Sequence, residues 1–132
     1  MNRIEFRMHQ PKGLVTLGDI VRKLPENDWI WYVLDYQGIG VAPNGMSMPD
    51  FEKLARAEGY SFDWSSFRRF ADQVEQSWWS LIVALDQGDT RSAKEIVASD
   101  CDGAHVVIEA FDSSTWTVRS RDELPLEEFL NG

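Results

Sequence analysis

Short apolar segments of two different periods alternate along this chain, and the alternation limits the folds that it can adopt. Ile4, Phe6 and Met8 alternate with polar residues, which is the pattern of a half-buried strand. Elsewhere apolar residues recur every three to four positions, which is the spacing of an amphipathic helix. A chain of 132 residues has room for one core of sheet and helices. No repeat or linker divides it, so we expect a single domain over residues 1–132.

Three helices are predicted from their first residues. Thr16, Ser47 and Asp63 each precede a helical apolar pattern, and side chains of these types accept hydrogen bonds from the free N–H groups of a first helical turn. Gly59 ends the second helix, since glycine readily adopts the backbone conformation that follows a helix. Asp122 and Pro125 are expected to open a last helix that runs through Leu126, Phe129 and Leu130.

Aromatic and β-branched residues favour a central strand over residues 29–34, with Gly38 and Gly40 turning the chain into a second strand. Residues 86–103 are interpreted as a long loop with one helical turn at residues 93–97. The other predicted strands are residues 4–8, 78–85, 106–111 and 116–119, the last two forming a hairpin that turns at residues 112–114. This order predicts an α+β fold, with a mostly antiparallel sheet of about five strands and helices packed on one face.

The net charge of −9 is unevenly distributed. Residues 86–132 contain 11 acidic and 4 basic residues, whereas residues 1–85 contain 11 and 9. Such a surface repels phosphate backbones and anionic lipids and attracts basic partners, although acidity also serves solubility alone. We therefore expect no binding to nucleic acid or membrane.

The chain is expected to be cytoplasmic. Cys101 is the single cysteine, which excludes an internal disulfide. No segment approaches the roughly 20 apolar residues that cross a bilayer, and the first residues lack the apolar run of a secretory signal. With two histidines and no ligand spacing typical of a metal site, we expect no cofactor.

The most enzyme-like group is Cys101 with His105, because an imidazole can activate a nearby thiol. A turn-forming Asp102–Gly103 pair separates them, and no oxyanion-stabilising element is recognisable nearby. The sequence therefore favours a protein without catalytic activity, while a small-ligand pocket or enzyme site near Cys101 and His105 stays open as an alternative.

Six tryptophans in 132 residues are many for one small core. Tryptophan is favoured at protein interfaces because its ring buries a large area and its N–H finds a partner there. Trp29, Trp78 and Trp79 are the candidates for exposure, and strand alternation predicts that Trp78 and Trp79 point to opposite faces. The alternative is that all the aromatic rings fill the core.

Two stretches carry a resemblance to a known group of proteins. Residues 104–122, which include VIEAFDSSTW and RSRD, and residues 64–76, WSSFRRFADQVEQ, resemble sequences among small bacterial proteins, some of them immunity proteins. Together they cover about a quarter of the chain. The resemblance implies a small, acidic, non-catalytic protein that binds and neutralises a cognate toxin, and it transfers no individual functional residue.

The leading hypothesis is therefore a cytosolic immunity protein that binds a basic toxin. Its predicted contact residues are the acids Asp100, Asp102 and Asp112 and the tryptophans Trp29, Trp78 and Trp79. Besides the small-ligand alternative, the aromatic surface could join two copies of the chain in a homodimer.

Overall fold

The computed structural model describes residues 1–131, and its main feature is a six-stranded sheet. The strands are β1 (Asn2–Arg7), β2 (His9–Gln10), β3 (Gly13–Leu14), β4 (Ile30–Gly40), β5 (Tyr60–Phe62), β6 (Val74–Leu85), β7 (Val106–Phe111) and β8 (Thr115–Ser120). The main sheet has the order β1-β8-β7-β6-β4-β5, and every neighbouring pair is antiparallel. Strands β2 and β3 pair separately. The predicted α+β fold with a mostly antiparallel sheet is confirmed.

Within residues 1–131, four α-helices and two short 3-10 helices accompany these strands. The α-helices are α1 (Leu17–Val21), α2 (Met48–Glu58), α3 (Trp64–Gln73) and α4 (Ala93–Ala98), and the 3-10 helices are Pro43–Gly45 and Glu127–Asn131. The predicted caps of α1, α2 and α3 are confirmed, since Thr16, Ser47 and Asp63 each accept a backbone N–H from the third residue of the helix. The helix expected after Pro125 is instead the second 3-10 helix, where Phe129 stacks on Phe6 of β1.

One face of the sheet, called here the inner face, carries most of the core. Side chains alternate along each strand, so Ile82 of β6 points to the inner face and Val83 to the other, outer face. Helices α1 and α3 supply apolar side chains to the inner core. Trp31 and Trp116 are fully buried there.

Within the described residues 1–131, only one end of the outer face is covered. A second cluster at that end contains Ile96 of α4 together with Cys101 and Ala104, which pack with outer-face residues of three strands. These strand residues are Leu34, Val83, Leu85 and Val107. The segment interpreted from sequence as a loop with one helical turn is therefore the cover of this end.

The predicted turn at Gly38 and Gly40 is wrong. Strand β4 continues through both glycines to Gly40, and its partner β6 begins at Val74, earlier than predicted. A Cβ atom at Gly38 would lie 2.3 Å from the carbonyl oxygen of Gln76, and one at Gly40 would lie 2.5 Å from the Cα of Val74. The two glycines therefore allow close backbone approach within the sheet, and no turn is required to explain them.

Candidate protein-binding surface

A β-bulge places two adjacent tryptophans together on the outer face. Gln37 of β4 pairs with Trp79 and the next residue, Gly38, pairs with Ser77, so Trp78 has no partner on β4. Ser77 and Ser80, on either side of the tryptophans, are both buried, whereas Trp78 is 37% exposed and Trp79 is 39% exposed. The predicted placement on opposite faces is therefore wrong, because the extra residue interrupts the alternation.

Phe111 extends this exposed aromatic surface across to β7. Its ring lies edge-on to that of Trp79, with ring centroids 4.9 Å apart and an interplanar angle of 70°. Phe111 is 59% exposed. We call Trp78, Trp79 and Phe111 the outer aromatic patch. Sequence reasoning missed Phe111, although alternation along residues 106–111 already assigned it to the face opposite Ile108.

The β7–β8 turn follows Phe111 directly and carries the carboxylate of Asp112. Asp112 and Ser113 have φ angles of 48° and 58°, the left-handed pair that a tight hairpin turn requires. The Ser114 N–H donates to the carbonyl of Phe111 at 2.9 Å, and the Ser113 N–H donates to the carbonyl of Trp78 at 2.9 Å. The turn is thus bonded to the bulge, and it presents the exposed Asp112 side chain beside the patch.

The indole N–H groups divide the six tryptophans into two sets. Three donate within the chain: Trp31 to Asn27 Oδ1, Trp64 to Glu26 Oε2 and Trp116 to the carbonyl of Val15. Those of Trp29, Trp78 and Trp79 have no acceptor within residues 1–131. They are the three candidates named from sequence, and each can donate a hydrogen bond to another molecule.

The structure does not bring the three predicted acids together. Asp112 adjoins the patch, whereas Asp100 and Asp102 follow α4 at the covered end of the outer face. The six residues of β7 separate the two ends and span roughly 20 Å at about 3.3 Å per residue. Asp100 is also paired with the guanidinium of Arg119 at 3.3 Å, and Arg119 in turn lies 3.5 Å from Glu109. Asp112 is therefore the one of the three predicted acids that adjoins the patch.

Cys101 and His105 lie in different surroundings, and no hydrogen bond joins them within residues 1–131. The Cys101 thiol is buried in the cluster under α4, and this burial raises its pKa above the ordinary value of a thiol, which disfavours the reactive thiolate. The His105 ring stacks on Trp29 with centroids 4.5 Å apart, and its Nε2 lies 2.6 Å from the Asp86 carboxylate. Trp29 is partly buried against the inner core and lies at the end of the sheet opposite the patch.

In comparisons with protein-family models, with curated proteins and with solved structures, nothing matched this chain. The resemblance to immunity proteins therefore stays a prediction. Among residues 1–131, no helix combines the length and apolar character that crossing a membrane requires.

Proposed function

We propose that this chain binds a basic protein and that the outer aromatic patch is its main contact surface. The observation that carries the proposal is the exposure of Trp78, Trp79 and Phe111, with the rings of Trp79 and Phe111 in contact across neighbouring strands. Aromatic side chains bury about 150–250 Å² each when covered, and tryptophan is enriched among the residues that dominate binding energy. The two unpartnered indole N–H groups add donors that a partner carbonyl or carboxylate can accept.

The charge of the chain favours a basic partner over a second copy. A net charge of −9 makes two copies repel one another, while it accelerates encounter with a cationic protein. Asp112 stands exposed beside the patch and supplies a carboxylate for a lysine or arginine at the rim of the interface. Salt should therefore slow association with the partner.

Within this proposal, the specific role is neutralisation of a basic protein toxin. Support for it comes from the resemblance of residues 64–76 and 104–122 to immunity proteins. The second stretch contains Phe111 and Asp112, so it overlaps the proposed surface.

The decisive experiment compares the chain with a Trp78→Ser/Trp79→Ser variant. The unmodified chain is used to capture partners from a lysate of its source cells, and each captured protein is purified and tested for direct binding at low and high salt. We expect one basic protein whose affinity falls by about 30-fold or more in the double variant, since the loss of a single hot-spot residue already costs about 2 kcal/mol or more. Expressed alone, that protein should arrest growth, and co-expression of the chain should restore it.

Val97→Ser is the matched control because Val97 is also an exposed apolar residue but lies on α4, away from the patch. It should leave binding unchanged. An equal loss of partner affinity in Val97→Ser and in the double variant would contradict the proposal. So would capture of an acidic protein whose binding does not depend on salt. Sedimentation of the chain as a dimer that the double variant dissociates would instead assign the patch to self-association.

A further inference from the structure

We infer that a groove beside Trp29, remote from the outer aromatic patch, binds a small organic cation with an apolar body. The groove has a volume of about 400 Å³, within the range of small-molecule sites. Its lining includes the rings of Trp29 and His105, the acids Asp122 and Glu123, and the apolar residues Leu124 and Pro125. This inference does not depend on the proposed protein partner.

The stacked Trp29–His105 pair gives the groove an aromatic wall that is held in place. The two rings are nearly parallel, with an interplanar angle of 8°. The His105 backbone is fixed on both sides, because its N–H donates to the carbonyl of Ala84 and its carbonyl accepts from Arg121. The Asp86 carboxylate fixes the ring through Nε2. A wall with this support is preorganised, so binding there requires little reordering.

The remaining surface of the groove combines apolar contacts with uncompensated negative charge. Pro25, Leu124 and Pro125 provide apolar contact area. The carboxylates of Asp122 and Glu123 line the groove and form no ion pair within residues 1–131.

The basic groups near the groove do not cancel this charge. The one lysine in the lining, Lys23, is paired with Glu128. The guanidinium of Arg121 donates to the carbonyl of Gly103. Asp86, which contacts His105, adds a further acid at this end of the groove. Together, the carboxylates of Asp86, Asp122, Glu123 and Glu128 outnumber the cationic groups of Lys23 and Arg121, so the balance of charge around the groove is negative.

These features select a class of ligand. An aromatic wall attracts an ammonium or guanidinium group through its ring face, and nearby carboxylates hydrogen-bond to the same group. The apolar contacts require a ligand that also carries an aliphatic or aromatic portion. Anions are repelled, and a neutral molecule of the same shape forgoes the charged hydrogen bonds.

Three probes of one shape and different charge test this selection. They are 2-phenylethylamine, 2-phenylethanol and phenylacetate, titrated into the full chain labelled with ¹⁵N. We expect a saturable shift of the Trp29 indole N–H signal with the amine, at least about tenfold weaker binding of the alcohol, and no binding of phenylacetate. Trp29→Phe assigns the indole signal. Equal affinity for amine and alcohol, a shift confined to Trp78 and Trp79, or no saturable shift would overturn the inference.

Asp122→Asn/Glu123→Gln removes the two lining charges while retaining the shape of both side chains. We expect about tenfold weaker binding of the amine and little change for the alcohol. The control Glu5→Gln/Glu58→Gln removes the same net charge from two exposed positions outside the groove and should leave the amine affinity within about twofold, since distant surface charges are screened. An equal loss of affinity in the control would show a general effect of net charge and would overturn the assigned site.

Discussion

The two faces of the sheet use tryptophan in opposite ways. On the inner face, Trp31 and Trp116 are fully buried, and each indole N–H has an acceptor within the chain. On the outer face, Trp78 and Trp79 remain exposed and neither N–H has an acceptor within residues 1–131. Burial with a satisfied polar group is what a core requires, and the outer pair lacks both properties. The comparison separates tryptophans that hold the fold from tryptophans available for binding.

The outer face also differs between its own two ends. Helix α4 covers one end, where Ile96 packs over Val83 and Leu85 in a closed cluster. No element within residues 1–131 covers Trp79 and Phe111 at the other end. A third layer is therefore present at one end of the sheet, and under the proposed function a protein partner would cover the aromatic end.

The largest expected effect is a contrast in stability between the two faces. Trp116→Ala should lower the free energy of unfolding by about 3–5 kcal/mol, because it removes a fully buried ring and leaves the carbonyl of Val15 without its donor. Trp79→Ala should cost about 1 kcal/mol or less, since its ring is partly in water already. Urea denaturation followed by far-ultraviolet circular dichroism measures both.

Comparable losses of unfolding free energy in Trp116→Ala and Trp79→Ala would contradict the distinction between the faces. A Trp79→Ala variant that unfolds as easily as Trp116→Ala would mean that the outer ring is structural and would remove the main support for a binding surface there. A small loss of unfolding free energy in Trp79→Ala, together with weaker partner binding, would support the distinction.

The helices α1, α2 and α3 could be predicted because their signals are local. Thr16, Ser47 and Asp63 cap them through bonds to residues three positions away, so the chain within one turn specifies each start. The strands with clear period-two alternation, such as β7, could be predicted for the same reason. Phe111 was assignable to the outer face from this alternation, but its exposure depends on what covers that face.

Features set by pairing between distant segments could not be predicted. Gly38 looks like a turn residue until the backbone carbonyl of Gln76 on β6 is known to approach so closely that no side chain fits. The bulge at Trp78 depends likewise on the register with β4. Because one inserted residue reverses which face a side chain occupies, sequence could name Trp78 and Trp79 as candidates but could not place them on one surface.

A buried hydroxyl makes the inner face sensitive to alkaline pH. Tyr36 is fully buried on β4, and its hydroxyl lies 2.9 Å from Ser77 Oγ. Burial, with a smaller contribution from Glu52, raises the pKa of Tyr36 from 10.0 to about 12. Below pH 10 the tyrosine is protonated in both states, whereas between pH 10 and 12 the unfolded state loses the proton first. The free energy of unfolding should therefore fall over this range by about 3 kcal/mol.

Denaturation at a series of alkaline pH values checks this. In Tyr36→Phe this component of the fall should vanish. In Ser77→Ala it should persist, because that change removes a hydrogen bond that lowers the pKa and leaves the burial that raises it. If the free energy of unfolding fell by the same amount in Tyr36→Phe, the alkaline sensitivity would belong to other groups and not to the buried Tyr36 hydroxyl.

The smallest expected effect concerns the turn that borders the patch. Ser113 has a φ of 58°, which disfavours any residue with a Cβ, and Asp-Gly is the preferred pair at the centre of such a turn. Ser113→Gly should raise the free energy of unfolding by about 0.5 kcal/mol, since relief of the strain outweighs the added freedom of glycine in the unfolded chain. The bond from its N–H to the carbonyl of Trp78 remains possible, so partner binding should not change. Ser114→Gly, at a neighbouring position whose hydroxyl donates to the carbonyl of Phe111, should instead lower stability slightly. If thermal denaturation showed the opposite order, the left-handed turn would not be the native one, and the register that places Trp78, Trp79 and Phe111 on one surface would have to be reassigned.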